Sequence, residues 1–508
     1  MMLSHRYYNP GTDTRFRGSF FAYSYNRLIV GIAIISAVIS LIVFKQWYPF
    51  ADVTPDTTAY IDTASRHLDA AFWPVGYSKF LMLVHTISSS ETVLVCIQYM
   101  LLQLAAFFLY FSISRLLNPG KLFRYSVLLF LLINPLFLYL SNYVITEALF
   151  LALGLTWFAL LLWICYKPGL LVLILHGIVL AMAFAIRYNA MFFPVVAIIP
   201  ILMAHTSAWK KAIGIVLPAV LIILFIYNTA NVTYRYTGVR KFSVFSSWQL
   251  ASNALFIVPH VTFDTTHIPQ QFKGIHTLAH QFCTGPYFHA ENATPAAGAY
   301  FLWDDHSPLR QVLSFYRAKY SLDDVYSNYA IASKLVGDYG AYLIKSHPFV
   351  YARYFWMPNM LEYLLPGQEF IGKNQRMLYG TPLNMKAWFN TTDAQPRISD
   401  SVQSNIMYVY QILIFILHIL FLEELFRFIF RKRYKNTTRL FNLTIIIVSS
   451  FLFCNFMFFT LAAPVVLRYQ LMVMVLLFFA SVLLLERNEE TLYQRLDKIP
   501  EEEMMLGI

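Results

Sequence analysis

Apolar residues in this chain gather into long stretches separated by short polar loops. A helix of about 17 to 25 such residues crosses about 30 Å of hydrocarbon. About ten runs of that kind can be read along the chain. They cover 28–44, 92–114, 125–141, 148–166, 170–186, 191–205, 212–230, 406–430, 440–461 and 465–485. With no water in the bilayer to satisfy open backbone, the pattern predicts an all-α integral membrane protein, a polytopic bundle of about ten transmembrane helices. Arg6, Arg15, Arg17 and Arg27 precede the first run and no small-residue cleavage site accompanies it, so it is expected to stay as a helix and not to be removed as a signal.

Lysine and arginine collect in alternate short loops: Arg115, Lys121 and Arg124, then Lys167, then Lys210 and Lys211, then Arg431, Lys432, Arg433, Lys435 and Arg439. By the positive-inside bias these loops, and both termini, are expected in the cytoplasm. The chain then divides into a cytoplasmic segment 1–27, a transmembrane core 28–230 with a first outer loop 46–91, an extracytoplasmic domain 231–405, C-terminal transmembrane helices 406–485 and a cytoplasmic tail 486–508. The tail is acidic at Glu486, Glu489, Glu490, Glu501, Glu502 and Glu503. The outer domain has helix-like runs near 325–345 and 349–365 and is expected to be mostly helical, with Tyr351, Tyr354, Phe355 and Trp356 on a helix at the bilayer surface.

Composition agrees, with 58% hydrophobic and 13% charged residues over 508, more apolar surface than one soluble core would bury. The net charge of +11 follows from the loop asymmetry and is no nucleic-acid footprint, which would gather on one soluble face. Cys96, Cys165, Cys283 and Cys454 are too scattered for a disulfide framework or thiolate site and read as small packing residues. His276 and His280 have helical spacing for a metal, but nothing fixes further ligands, and they read as ordinary histidines.

Candidate chemistry starts in the first outer loop. Pro55-Asp56-Thr57-Thr58-Ala59-Tyr60 puts Asp56 at the start of a helix with Tyr60 one turn on, and Trp73-Pro74-Val75-Gly76-Tyr77-Ser78-Lys79 follows. Asp56 is either a functional carboxylate or the cap of its helix. Asp52, Asp62 and Asp69 read as solvated charges. Arg187, in Ala185-Ile186-Arg187-Tyr188-Asn189, and Arg468, in Val466-Leu467-Arg468-Tyr469-Gln470, break the charge bias by falling at outer helix ends. Each is either a snorkelling side chain or a ligand for a phosphate, which guanidinium grips bidentately. Glu147, in Tyr143-Val144-Ile145-Thr146-Glu147, either orients Arg187, binds an acceptor, or sits as a helix-start acid favoured by the dipole.

These segments resemble the GT-C superfamily of polyprenyl-phosphate-sugar glycosyltransferases, which includes protein O-mannosyltransferases and the lipid A aminoarabinose transferase. The resemblance spans most of the transmembrane region and rests on the first-loop Asp56, the Arg187-Tyr188 step after the middle helices, the Arg468-Tyr469 step opening the last helix and the acid Glu147. It implies Asp56 as base or charge partner of the acceptor, Arg187 and Arg468 on the donor phosphate, and Tyr60, Tyr77, Glu147, Tyr188 and Tyr469 around the pocket. Two departures stand out: Pro74-Val75-Gly76-Tyr77 keeps one proline where the family often has a pair, and Lys79 follows that step where the family's lysine precedes it. Lys79 therefore does not carry over as a phosphate ligand by position. The implied activity is inverting transfer of a sugar from a polyprenyl-phosphate donor to an outer glycan, lipid or protein. A divalent ion stays open, because a lone carboxylate with two arginines can neutralise a monophosphate unaided. An oligosaccharide ligase or polymerase using a diphosphate-linked glycan, and a transporter or lipid flippase, are the rival classes. With no organelle signal, the layout points to a bacterial inner membrane.

Overall fold

The computed structural model describes residues 24–496 apart from 265, 299, 321–323 and 392–395, with side chains from 27 to 489. Arg6, Arg15, Arg17, the side chain of Glu490, and Glu501, Glu502 and Glu503 lie outside the described residues.

α1 (Ser24–Trp47) leads into a loop that folds into α2 (Thr57–Ser65) and α3 (Gly76–Ile87) before α4 (Glu91–Leu117) re-enters the bundle. α5 (Lys121–Leu132) and α6 (Pro135–Asn142) make one bent passage. Pro135 has no N–H to continue the ladder. Asn134 starts the second piece, its Oδ1 accepting the Leu136 amide at 3.2 Å and the Tyr410 hydroxyl at 2.6 Å. α7 (Glu147–Tyr166), α8 (Leu170–Ile186), a 3-10 turn at Tyr188–Phe192, α9 (Phe193–Met203) and α10 (Ala208–Thr237) follow.

Past α10 come α11 (Phe245–Leu255), α12 (Lys273–Thr284), α13 (Tyr300–Trp303), α14 (Pro308–Tyr320) and α15 (Val325–Ser346). They bury a core of their own around Trp248, Phe256, Tyr339 and Phe355. Gly340 lets α15 press against α11, since a Cβ there would stand 2.8 Å from the Ala251 Cα. The Trp248 indole donates to the Tyr329 carbonyl at 3.0 Å. α16 (Pro348–Tyr351), a π-helical turn at Ala352–Trp356 and α17 (Met357–Leu364) then run as one irregular helix. α18 (Gln375–Tyr379) and α19 (Leu383–Phe389) lead to α20 (Asp400–Phe430), α21 (Arg439–Ala462) and α22 (Leu471–Leu496).

The protein is thus α-helical, with two isolated bridges in place of a sheet among the described residues: Asp52 with Tyr143, and Gly367 with Val466. Seven helices among them are long and apolar enough to cross a membrane: 27–47, 91–117, the bent 121–142, 147–166, 208–237, 439–462 and 467–489. Of the other expected spans, α8 and α9 are apolar but only 17 and 11 residues long. The last, α20, has 31 residues with Glu423, Glu424 and Arg427 in its final turns, and is not among the seven. Residues 231–405 feed two cores. Position 231 lies inside α10, the 244–355 stretch forms its own cluster, and Tyr363, Ile371, Met385 and Phe389 join the bundle core.

Short loops make consecutive helices antiparallel. One end of the bundle therefore gathers the ends of α1, α6, α8, α10 and α21 with the starts of α4, α7, α20 and α22, while the basic loops collect at the other. At the first end the last carbonyls of α21, which have no partner within the helix, are taken by side chains from the neighbouring helices. Asn359 Nδ2 donates to the carbonyls of Thr460 at 2.9 Å and Ala463 at 2.7 Å, and its Oδ1 accepts the Val465 amide at 2.8 Å. Asn253 Nδ2 donates to Ala462 at 3.0 Å, and the Tyr351 hydroxyl to Leu461 at 3.4 Å. Trp356 donates to Thr460 Oγ1 at 3.1 Å, so two of the aromatic rings expected at a bilayer surface face α21. Phe349, Met357, Leu361 and Leu365 form the open side of that helix.

Candidate functional site

The loop from α1 to α2 is pinned before Asp56 is reached. Asp52 donates its amide to the Asn142 carbonyl at 2.8 Å and accepts the Val144 amide on its own carbonyl at 3.0 Å. Its carboxylate accepts the backbone amides of Val53 at 2.8 Å, Arg376 at 2.9 Å and Gln375 at 3.3 Å. The expectation of a solvated Asp52 is overturned: the residue is buried, because these amides replace water. Burial pushes its carboxyl up to about 6 against the pull of those bonds. Arg376, wholly buried, completes the clasp by donating to Glu91 at 2.8 Å, the Ala51 carbonyl at 3.0 Å and Thr381 at 2.7 Å.

Asp56 then stands at the start of α2, where Thr57 Oγ1 donates to the Val144 carbonyl at 3.0 Å. Its side chain makes no capping hydrogen bond. The carboxylate instead faces Arg468, Oδ2 to Nη1 at 3.9 Å, and is 19% exposed. Burial raises it to about 6, partly opposed by the charge of Arg468 and reinforced by Glu147 and Glu369.

Glu147, opening α7, lies at the centre. Its Oε1 accepts Arg187 Nη1 at 2.7 Å and Arg468 Nη1 at 2.8 Å, while Oε2 accepts the Thr146 hydroxyl at 3.1 Å. Arg187 sits in the extended residue where α8 ends and the 3-10 turn begins. Arg468 lies in a 3-10 turn, Leu467–Gln470, that opens the last membrane-length stretch. The Tyr469 ring supports both, with guanidinium carbons 5.0 Å and 4.7 Å from its centre. Arg468 also bonds Glu369, Nε to Oε2 at 2.6 Å and Nη2 to Oε1 at 3.4 Å, and the Phe370 ring covers it at 4.7 Å. Three carboxylates and two guanidiniums thus meet, drawn from five separate stretches of chain.

Tyr60 and Tyr77 back the cluster edge to face, centres 5.0 Å apart. Tyr77 donates to Gln98 at 2.8 Å, and Gln98 Nε2 donates to the Ser141 carbonyl at 2.8 Å. Burial, with the charge of Asp56 next, holds the Tyr60 phenol well above its ordinary range, so it stays neutral. Gly76 brings this loop against the end of α8, where any Cβ would collide with the Ala185 carbonyl.

Two expected residues stand apart. The Tyr188 hydroxyl donates to the Phe242 carbonyl at 3.1 Å, and Lys79 pairs with Asp69 at 2.6 Å on the exposed surface. Glu369 was not expected; it is a non-glycine residue at φ +53°, held by a Gly367–Val466 bridge that no local pattern announces. Among the described residues no three His, Cys, Asp or Glu side chains gather as a metal site, and His276 bonds Tyr339 at 3.0 Å.

Beside the arginines lies a narrow cleft whose free space, about 20 Å³, is close to that of a single water. Glu147, Arg187 and Arg468, with Asn189 and Asn455, form its polar wall; Phe150, Phe192, Phe193, Phe451, Phe459 and Met472 are among the residues of the apolar one. Asp56 does not line it, but Arg468, 3.9 Å from that carboxylate, does. The arrangement can hold an anion at an apolar wall on one side of Arg468 and accept a proton on the other. No family model, curated protein or solved structure matches the chain.

Proposed function

We propose that this protein is a membrane glycosyltransferase that moves a sugar from a polyprenyl-phosphate donor to an acceptor on the extracytoplasmic face of a bacterial inner membrane, with both termini in the cytoplasm. The observation that carries the reading is the meeting of Asp56, Glu147, Arg187 and Arg468 beside an apolar cleft. Sites that combine an apolar wall with a few convergent charges suit an amphiphile whose phosphate joins a hydrocarbon tail. The first-loop and arginine steps that resemble the GT-C superfamily support the same reading.

In this reaction the phosphate would lie on the arginines and the first isoprene units along the apolar wall beside them, which has to open to admit them. Asp56 takes the proton from the acceptor hydroxyl as that oxygen bonds the anomeric carbon. The bond from that carbon to the phosphate oxygen breaks, the configuration inverts, and the lipid monophosphate leaves with its electron pair. Arg187 and Arg468 stabilise the growing charge on the leaving group, and Glu147 holds the two side by side. A divalent ion is not needed to balance the step.

The test is transfer of label from a polyprenyl-monophosphate sugar to envelope glycan, lipid and protein fractions by the purified protein. Loss of transfer in Asp56→Asn, with donor binding retained, is expected. Turnover of diphosphate-linked oligosaccharides alone would point to a ligase, and carrier flux across vesicles without chemistry to a transporter.

A further inference from the structure

Arg468 is already occupied. Of the three carboxylates around it, Glu147 is 1% exposed and also bonded to Arg187 and Thr146, so it cannot leave without stranding a second guanidinium. Asp56, at 3.9 Å, makes no hydrogen bond to it. Glu369 is different: 34% exposed, it has both oxygens on the Nε and Nη2 edge of the fork. That is one of the two edges on which a guanidinium can grip phosphate bidentately.

The segment carrying Glu369 is tied at both ends and between them, where Gln403 Nε2 donates to the carbonyl of buried Ile371 at 2.9 Å and the Tyr143 hydroxyl to that of Lys373 at 3.2 Å. On one side Leu467 donates to the Gly367 carbonyl at 2.8 Å, and Gln368 Nε2 donates to the Ser404 carbonyl at 3.1 Å and to Gln411 at 2.9 Å. On the other, the Gln375 and Arg376 amides donate to buried Asp52. Between those ties Glu369 takes φ +53°, a region that disfavours a side chain with a Cβ. Phe370 covers the Arg468 guanidinium, so this segment is also the cover of the site.

We propose that Glu369 is an exchangeable counter-ion: it holds Arg468 while no lipid phosphate is bound, and the phosphate of an entering polyprenyl donor takes its place as the Glu369 side chain swings out to solvent. This rests on the donor reading above. With three carboxylates against two guanidiniums the closed cluster disfavours a further anion, and displacement of Glu369 removes that excess. Glu369 therefore selects for ligands able to outcompete a carboxylate.

The probe is a sugar-free polyprenyl monophosphate, its affinity measured for the full chain in lipid nanodiscs. Glu369→Gln keeps the shape and removes the competing charge, so its affinity should rise about tenfold or more, the binding-competent population no longer being limited by the ion pair. Glu369→Asn, better tolerated at positive φ, should do the same if Gln misfolds, and thermal unfolding in the same discs identifies folded variants. A structural role for Glu369 would lower affinity or leave it alone. If Arg468→Gln loses binding but folded Glu369→Gln and Glu369→Asn bind no more tightly than wild type, the exchange is wrong and the donor reading stands. If Arg468→Gln binds as wild type, the donor reading falls and the exchange with it.

Discussion

Asp56 Oδ2 stands 3.9 Å from Arg468 Nη1, near enough to feel its charge and too far for a hydrogen bond. Arg468 thus offsets part of the cost of burying this carboxylate without hydrogen-bonding it, and the side chain caps no helix either. Its lone pairs remain open to an incoming hydroxyl. The same distance explains why Asp56 and Arg468 can belong to different halves of one reaction.

Replacing Asp56 by Asn keeps its volume and removes the base. Sugar transfer should fall by about 10²- to 10⁴-fold. Affinity for a polyprenyl monophosphate should not weaken, because the arginines are untouched. Transfer assays and binding on the same preparation check the split.

Transfer should also lose rate in acid. Burial lifts Asp56 to about 6, with Arg468 and Arg187 opposing and Glu147 and Glu369 adding to the shift. Below that pH the folded protein holds the group protonated, so kcat/KM should drop about tenfold per unit on the acid limb. Arg468→Gln removes an opposing charge and should move the limb upward in whatever activity remains. A pH profile flat from 5 to about 8 would remove Asp56 as the base.

Glu147→Ala should cost stability before it costs chemistry. Removing this buried acid strands Arg187 and leaves Arg468 to Glu369 and Asp56, a loss of about 3 to 5 kcal/mol for a broken buried pair. The melting temperature in detergent should fall clearly, more than for Asp69→Ala, whose partner Lys79 is exposed.

Gly76→Ala probes how the first loop docks. Its Cβ would meet the Ala185 carbonyl, next to Arg187, so either the loop or the end of α8 must shift. The expected cost is about 1 to 3 kcal/mol, as for overpacking elsewhere. Transfer should fall further than stability accounts for, because Asp56 and Arg187 lose register. Melting and kcat on one preparation separate the two.

Arg187, Arg468 and Glu147 were legible because a charge among apolar residues contrasts with its surroundings, and the order of basic loops showed that they share one end. Glu369 had no such contrast: it lies in a polar, aromatic stretch, and its part depends on Gly367 pairing with Val466. Asp52 was misread for a related reason, since the amides that bury it come from Gln375 and Arg376, more than 300 positions away. Tyr188 matched by position next to Arg187, yet its hydroxyl turns to Phe242. The span count came out coarser because α8 and α9, read as separate spans, have only 17 and 11 residues, and α20 is not among the seven.

The side chains of Asn253, Tyr351 and Asn359 on the last carbonyls of α21 have a mechanical consequence. Asn359 also takes the Val465 amide, in the residues leading to Arg468, so the helices beyond α10 are bolted to the same turn that aims the guanidinium. A displacement of those helices would therefore be passed through the end of α21 to the residues that carry Arg468.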